Sequence, residues 1–252
     1  QSSGIGGGGF LMHYDAQTGE VTAWNGRETA PAAASPTMFL DDDGAPLKRP
    51  DAMRSGRATG VPGAMAMLEA VQKRHGKLPW NTLFEDTAVV AERGLTITPR
   101  MADQIARYAA TDRTPDARAL FARPDGTPLQ AGDTYRNAPY AGVMRRMAAD
   151  GAGVLYTGPI AEKIVARTTV APYPGKMTLA ELAGYRPQQI PALCKPYRVY
   201  VICVPSPPAS GVGLLELMGL LERTDIDRRG PADPQAWFLF AEASRVMYAD
   251  RD

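Results

Sequence analysis

Histidine and cysteine are scarce in this sequence, with two of each among 252 residues. Two cysteines build neither a disulfide framework nor a four-ligand zinc site. Two histidines, His13 and His75, leave little material for a Ser-His-Asp triad or a histidine-rich metal centre. No nucleophile elbow of the form Gly-x-Ser-x-Gly occurs. Charge of one sign is missing too. The 28 basic and 27 acidic side chains leave a net charge of +1, so no field recruits nucleic acid or an anionic membrane. The longest apolar stretches, such as 237–240 and 199–204, are far below the roughly 18 residues that span a bilayer. There is no internal repeat and no low-complexity tract. What remains is a chain long enough to bury a substantial core, with a small molecule or a protein as partner.

The opening QSSGIGGGGF has no basic region followed by an apolar core, so no signal peptide is visible in it. Its glycine run leads straight into a β-prone stretch, which reads as a connection and predicts residues upstream. The last helix breaks off at Asp252 without a glycine stop, which predicts residues downstream. Residues 1–252 are expected to form a single domain truncated at both ends.

Phe10 to Tyr14 and Glu20 to Trp24 are short β-prone runs, and Asp15 to Gly19 supply turn chemistry between them, which predicts a β-hairpin. The stretch from Asn25 to Arg57 lacks periodicity and reads as a long irregular connection. Pro62 then opens a helix with Ala64, Met67, Leu68 and Val71 inward and Gly76 as its left-handed stop. A second helix is expected from about Trp80 to Arg93, with Leu83, Phe84, Thr87, Val90 and Ala91 inward and Gly94 closing it. Further helices are expected after Thr98, within Pro139 to Ala149 and from Gly158. Thr178 to Glu181 has the spacing of a capping box. The β-rich Tyr197 to Val204, the turn-rich Pro205 to Gly211, an apolar helix from Val212 to Leu221 and an amphipathic helix from about Pro234 to Ala249 complete a mixed α+β pattern.

Several constellations invite chemistry. Gly4-x-Gly6-x-x-Gly9 has dinucleotide-fingerprint spacing, but a strand follows it where a helix is required, so the glycines read as permitting close backbone approach. Asp41-Asp42-Asp43-Gly44 lacks the ligand alternation of a calcium loop and reads as a solvated turn. His75 precedes Gly76 at a helix end, where imidazolium suits the dipole. His13 lies in a hairpin strand, where a pairing or surface role fits. The segment between Cys194 and Cys203 carries Lys195-Pro196 as a turn and then β-formers. A hairpin there would bring the sulfurs together, and two free, half-buried thiols are the other reading. Arg27 sits in the polar turn Asn25-Gly26-Arg27-Glu28-Thr29-Ala30-Pro31. Its guanidinium suits a carboxylate, as a rigid two-pronged donor. A local ion pair with Glu28 is the equal alternative.

QSSGIGGGGF, GRETAP, GVPG at 60–63, KLPW at 77–80, PSPPASG at 205–211 and the closing EASRVMYADRD stand in one order along the whole chain. In this the sequence resembles the large subunit of gamma-glutamyltransferases. The resemblance implies an N-terminal-nucleophile hydrolase fold, a four-layer αββα sandwich. It also implies a precursor, a zymogen, that cuts itself into a large and a small subunit forming a heterodimer. The nucleophile would be the N-terminal threonine of the small subunit, with its own amino group as base. No catalytic residue is then expected in this chain. Thr168-Thr169 is followed by Val170 rather than the histidine of the family's cleavage motif. The one residue carried over is Arg27, the arginine of GRETAP, which is expected to grip the α-carboxylate of the γ-glutamyl substrate. PSPPASGVG departs from the family's three prolines and paired glycines.

The resemblance further implies glutathione or a related γ-glutamyl donor, and water, an amino acid or a peptide as acceptor. It implies no cofactor and no metal, and a periplasmic or secreted location. The other readings are a related amidase such as a cephalosporin acylase, or a noncatalytic chain that scaffolds or binds γ-glutamyl compounds.

Overall fold

The computed structural model describes residues 4–109 and 115–251. Two compact units make up the chain: one of 1–7 and 28–185, the other of 8–27 and 186–252. In chain order the strands are β1 (Phe10–Tyr14), β2 (Val21–Asn25), β3 (Leu95–Thr96), β4 (Thr134–Tyr135), β5 (Gln188–Ile190), β6 (Ala192–Tyr197) and β7 (Tyr200–Pro205). The α-helices are α1 (Arg49–Met53), α2 (Ala64–His75), α3 (Glu85–Arg93), α4 (Pro99–Gln104), α5 (Pro115–Leu120), α6 (Ala138–Asp150), α7 (Gly158–Thr168), α8 (Leu179–Gly184), α9 (Gly211–Leu221) and α10 (Pro234–Arg251). The mixture of helix and sheet is the α+β class read from the pattern.

Among its described residues the larger unit consists of helices and irregular connections, with the short β3–β4 ladder as its one pair of strands. Val61, Met65, Phe84, Ala88, Met144, Met147, Leu155 and Leu182 form its main core. In α2 the buried residues are Met65, Met67 and Val71, whereas Leu68, expected inward, is 41% exposed. The second predicted helix is two elements: a 3-10 turn over Trp80–Leu83 and then α3. Three residues per turn instead of 3.6 rotates the following helix. Phe84, Ala88 and Ala91 therefore face the core, and Leu83, Thr87 and Val90 do not. Gly94 ends α3 at φ +97°, as expected. Gly76 is no left-handed stop, since its φ is −68°. What demands glycine there is space: a Cβ would stand 2.4 Å from the Gln72 carbonyl oxygen.

Tighter still is the crossing of Gly56 and Gly175. The Gly175 N–H donates to the Thr168 carbonyl at 2.7 Å. A Cβ on Gly56 would lie 1.7 Å from that same oxygen, and one on Gly175 would lie 2.3 Å from the Gly56 carbonyl oxygen.

The capping box of α8 forms as read. The Thr178 hydroxyl accepts from the Glu181 N–H at 3.2 Å, and the Glu181 carboxylate accepts from the Thr178 N–H at 2.8 Å. Its other oxygen accepts from the Ala32 N–H at 2.5 Å, a link across 149 residues. The Ala32 bond first, and then the Thr178 hydroxyl, hold the Glu181 carboxyl below its ordinary value. A lowered carboxyl pKa stabilises the fold above the unfolded value and loses that effect as pH falls through the folded one. Glu181→Gln is therefore expected to lower Tm at pH 7, with the gap to the parent closing as pH falls below the ordinary carboxylate range. Thermal melts of both proteins across that range check it.

The smaller unit carries the antiparallel sheet β1-β2-β5, with Phe10 opposite Asn25 and Ala23 opposite Ile190. The expected hairpin turn is closed by Asp15, whose carboxylate accepts from the Gln17 and Thr18 N–H groups, and by Gly19 at φ +73°.

The β6–β7 hairpin turns at Arg198-Val199 rather than at Lys195-Pro196, which lies inside β6. Arg198 takes φ +53°, and its N–H donates to Glu222 at 2.8 Å. Cys194 sits directly opposite Cys203, and the two are joined as a disulfide, so the paired reading holds. Replacing both by serine is expected to cost about 2–3 kcal/mol, the chain-entropy value for so short a loop. Denaturant unfolding of the double variant against the parent measures it.

Gly211 and Gly213 answer the departure from the family's paired glycines. A Cβ on the first would meet Val204 of β7 at 2.5 Å, and on the second the Met247 sulfur of α10 at 2.9 Å. The loop thus hands over directly to α9, which packs closely on both neighbours.

Candidate functional site

Arg27 follows the central strand of the three-stranded sheet. Asn25 ends that strand and folds back, its side-chain oxygen accepting from the Arg27 N–H at 2.9 Å. Gly26 is buried and exchanges both backbone hydrogen bonds with Gly9, at 2.9 and 3.2 Å. A buried glycine paired on one side and an asparagine turn on the other fix the backbone from which the guanidinium projects. The Arg27 side chain itself is exposed.

The glycine run has two structural roles. Gly9 makes the pairing just described. The Gly7 carbonyl accepts from the N–H groups of Gly63 and Ala64, both at 3.0 Å. These are donors at the start of α2, which has no side-chain cap. Gly7 of the glycine run and the GVPG word are therefore one construction, in which one carbonyl caps a helix. Gly60 adds a close approach: a Cβ there would sit 3.0 Å from both the Glu28 side chain and the Thr29 carbonyl oxygen. Thr29 and Val61 bridge through paired hydrogen bonds of 3.2 and 2.8 Å.

Downstream of Thr29 the irregular connection is pinned by contacts that the sequence did not signal. The Arg57 guanidinium donates to the carbonyls of Met38 and Leu40 at 2.9 and 3.0 Å, and it lies 5.3 Å from the Tyr173 ring centroid. Glu181 holds Ala32. A cavity of about 340 Å³ opens here, lined by Pro31, Ser35, Thr37, Met38, Arg57 and Lys176 among others. Contacts this distant in sequence leave no periodic signal.

The other sequence candidates take structural places. His75 is the last residue of α2, after Lys73 and Arg74, where cations suit the dipole. His13 pairs with Thr22 in the hairpin. The Asp41 carboxylate accepts from the N–H groups of Asp43 and Ala45, and Gly44 turns at φ +79°, the solvated turn that was read. The hydroxyls of Thr168 and Thr169 both bond back to the Val165 carbonyl, at 3.0 and 3.1 Å.

Comparison with known proteins points to one family. The family model described as gamma-glutamyltranspeptidase matches residues 1–252. A glutathione hydrolase proenzyme from Bacillus subtilis subsp. natto is 33% identical over 250 residues, 99% of this chain and 42% of its own length. An acylase ACY 1 proenzyme from a Pseudomonas strain is 31% identical over 97% of this chain and 44% of its own. The crystal structure of Helicobacter pylori gamma-glutamyltranspeptidase superposes with a TM-score of 0.89 at 29% identity, covering 99% of this chain and 71% of that one. The chain spans about two fifths of the length of the curated relatives it matches. Its α+β architecture is that of the large-subunit part of the N-terminal-nucleophile hydrolase fold. By the family model across its full length and by these likenesses, the chain belongs to the gamma-glutamyltranspeptidase family.

Proposed function

We propose that this chain is the large-subunit portion of an enzyme that hydrolyses or transfers the γ-glutamyl group of glutathione and related amides. The observation that carries the reading is Arg27, an exposed guanidinium on a doubly fixed turn, within the GRETAP word of a chain whose whole length matches the family. Arg27 grips the donor's α-carboxylate, and a two-pronged donor fits that group where an ammonium does not. A second polypeptide from the same precursor supplies an N-terminal threonine. That threonine attacks the γ-amide carbonyl, its own amino group taking the proton, and the amine leaves. Water or an amino acid or peptide then receives the acyl group. The relatives' proenzyme names, and the share of their length that lies outside this chain, support the two-part arrangement. No cofactor enters this chemistry. A periplasmic or secreted location is part of the same proposal.

The acylase ACY 1 likeness, at nearly the same identity, supports the second reading, a related amidase such as a cephalosporin acylase. Turnover of a γ-glutamyl anilide against a glutaryl cephalosporin separates the two. The first reading expects the anilide to be the better substrate by kcat/KM, and the reverse order overturns it. Mass spectrometry of the purified protein is expected to find a second chain beginning with threonine. A protein without that chain is the noncatalytic scaffold.

A further inference from the structure

Asn25 stands one place before the GRETAP word. It is the last residue of the central strand β2, and its backbone is held on both sides, opposite Phe10 of β1 and Gln188 of β5. The strand behind it cannot shift, because Thr22, Ala23 and Trp24 are all buried. Its side chain therefore starts from a fixed point. From there the amide oxygen accepts the Arg27 N–H at 2.9 Å, two residues on. Such a turn requires a short side chain that ends in an acceptor, which Asn and Asp supply well and Ser or Thr more weakly.

Between the two lies Gly26, buried and paired with Gly9 through both of its backbone groups. The Asn25 bond acts one step further along, on the peptide that carries the Arg27 nitrogen. A peptide plane held by its N–H fixes the direction of the following Cα–Cβ bond. Released, the plane rotates, and the guanidinium at the end of a long side chain sweeps a wide arc. A bidentate pair with a carboxylate needs direction as well as charge. Holding the donor group in its bound orientation beforehand reduces the ordering cost that binding would otherwise carry.

We propose that Asn25 is a positioning residue: by accepting the Arg27 N–H it aims the guanidinium, and so sets how strongly the enzyme prefers donors that carry an α-carboxylate. This rests on the reading of Arg27 as the carboxylate clamp. A turn that served stability alone would make no distinction between donors, since its loss would weaken every substrate alike. A turn that aims Arg27 touches only those donors whose carboxylate Arg27 holds. Its effect falls on KM with little change in kcat, because the grip at the far end of the donor persists from ground state to transition state.

Steady-state kinetics of the processed full-length enzyme test it, with a γ-glutamyl anilide and with the 4-aminobutyryl anilide, which lacks the α-carboxylate. Asn25→Ala is expected to raise KM for the γ-glutamyl anilide about 3- to 10-fold, the span of one side-chain hydrogen bond. It should leave kcat/KM for the 4-aminobutyryl anilide unaltered. Asn25→Ser, a neutral and weaker acceptor, is expected to recover part of the loss. Added to Arg27→Ala, Asn25→Ala should cost nothing more, because the group it aims is gone. Circular-dichroism melts confirm the fold of each variant. An equal loss with both donors, a serine variant no better than alanine, or a full further loss on top of Arg27→Ala overturns the positioning role. Should Arg27→Ala raise KM and Asn25→Ala not, the positioning fails alone. Should Arg27→Ala leave KM unaltered, the clamp fails and the positioning falls with it.

Discussion

Arg27→Ala is expected to raise KM for γ-glutamyl donors by roughly 30- to 150-fold, the loss of about 2–3 kcal/mol from one charge-assisted pair. Because Arg27 is exposed and its turn is held through backbone N–H groups, the variant should fold and melt like the parent. Arg27→Lys keeps the charge but loses the planar fork, so it should recover only part of the affinity. The split between constants matters: a residue that binds the far end of the donor equally in ground and transition states moves KM with little change in kcat. Steady-state kinetics with donors carrying or lacking the α-carboxylate make the check sharper. The alanine variant should discriminate weakly between them, whereas the parent should prefer the carboxylate. An unaltered KM removes Arg27 from the site.

Gly56→Ala is expected to destabilise by about 3 kcal/mol or more, and expression as insoluble protein would be the extreme form of that result. The added carbon would lie 1.7 Å from a carbonyl oxygen that already accepts a bond from Gly175. Backbone cannot swing aside as a flexible side chain does. Relief requires the C-terminal end of α7 to part from the 3-10 turn at Gly56–Ala58. Chemical denaturation of Gly56→Ala against Gly126→Ala sets the scale. Gly126 has open space around it and a positive φ of +84°, so its variant carries backbone strain without the clash. A Gly56 variant no weaker than the Gly126 variant would contradict the crossing.

The sequence revealed those features whose causes are local. The capping box at Thr178, the Asp15–Gly19 turn and the left-handed Gly94 each depend on residues within a few positions of one another. Helical phase failed where a local geometry changed the period, at the 3-10 turn of Trp80–Leu83, and so misplaced Leu83, Thr87 and Val90. Lys195-Pro196 looked like a turn because proline is common in turns, yet the cross-strand pairing put the reversal at Arg198, whose unusual φ is held by Glu222. Cys194 and Cys203 were left with two readings that only the register of two strands could separate. For the candidate site, the family likeness alone singled out Arg27, whereas physical reasoning balanced a carboxylate clamp against an ion pair. The ties from Arg57 to Met38 and Leu40 and from Glu181 to Ala32 were not legible, because those partners lie 17 to 149 residues away.

Those two residues also set how ordered the connection is. The stretch from Glu28 to Arg57 is largely without regular secondary structure, yet it is tethered at Thr29 by Val61, at Ala32 by Glu181, and at Met38 and Leu40 by Arg57. A segment so moored gives up its conformational freedom when the protein folds. A molecule arriving beside it meets a surface already set, and keeps the free energy that arranging a slack strap would consume.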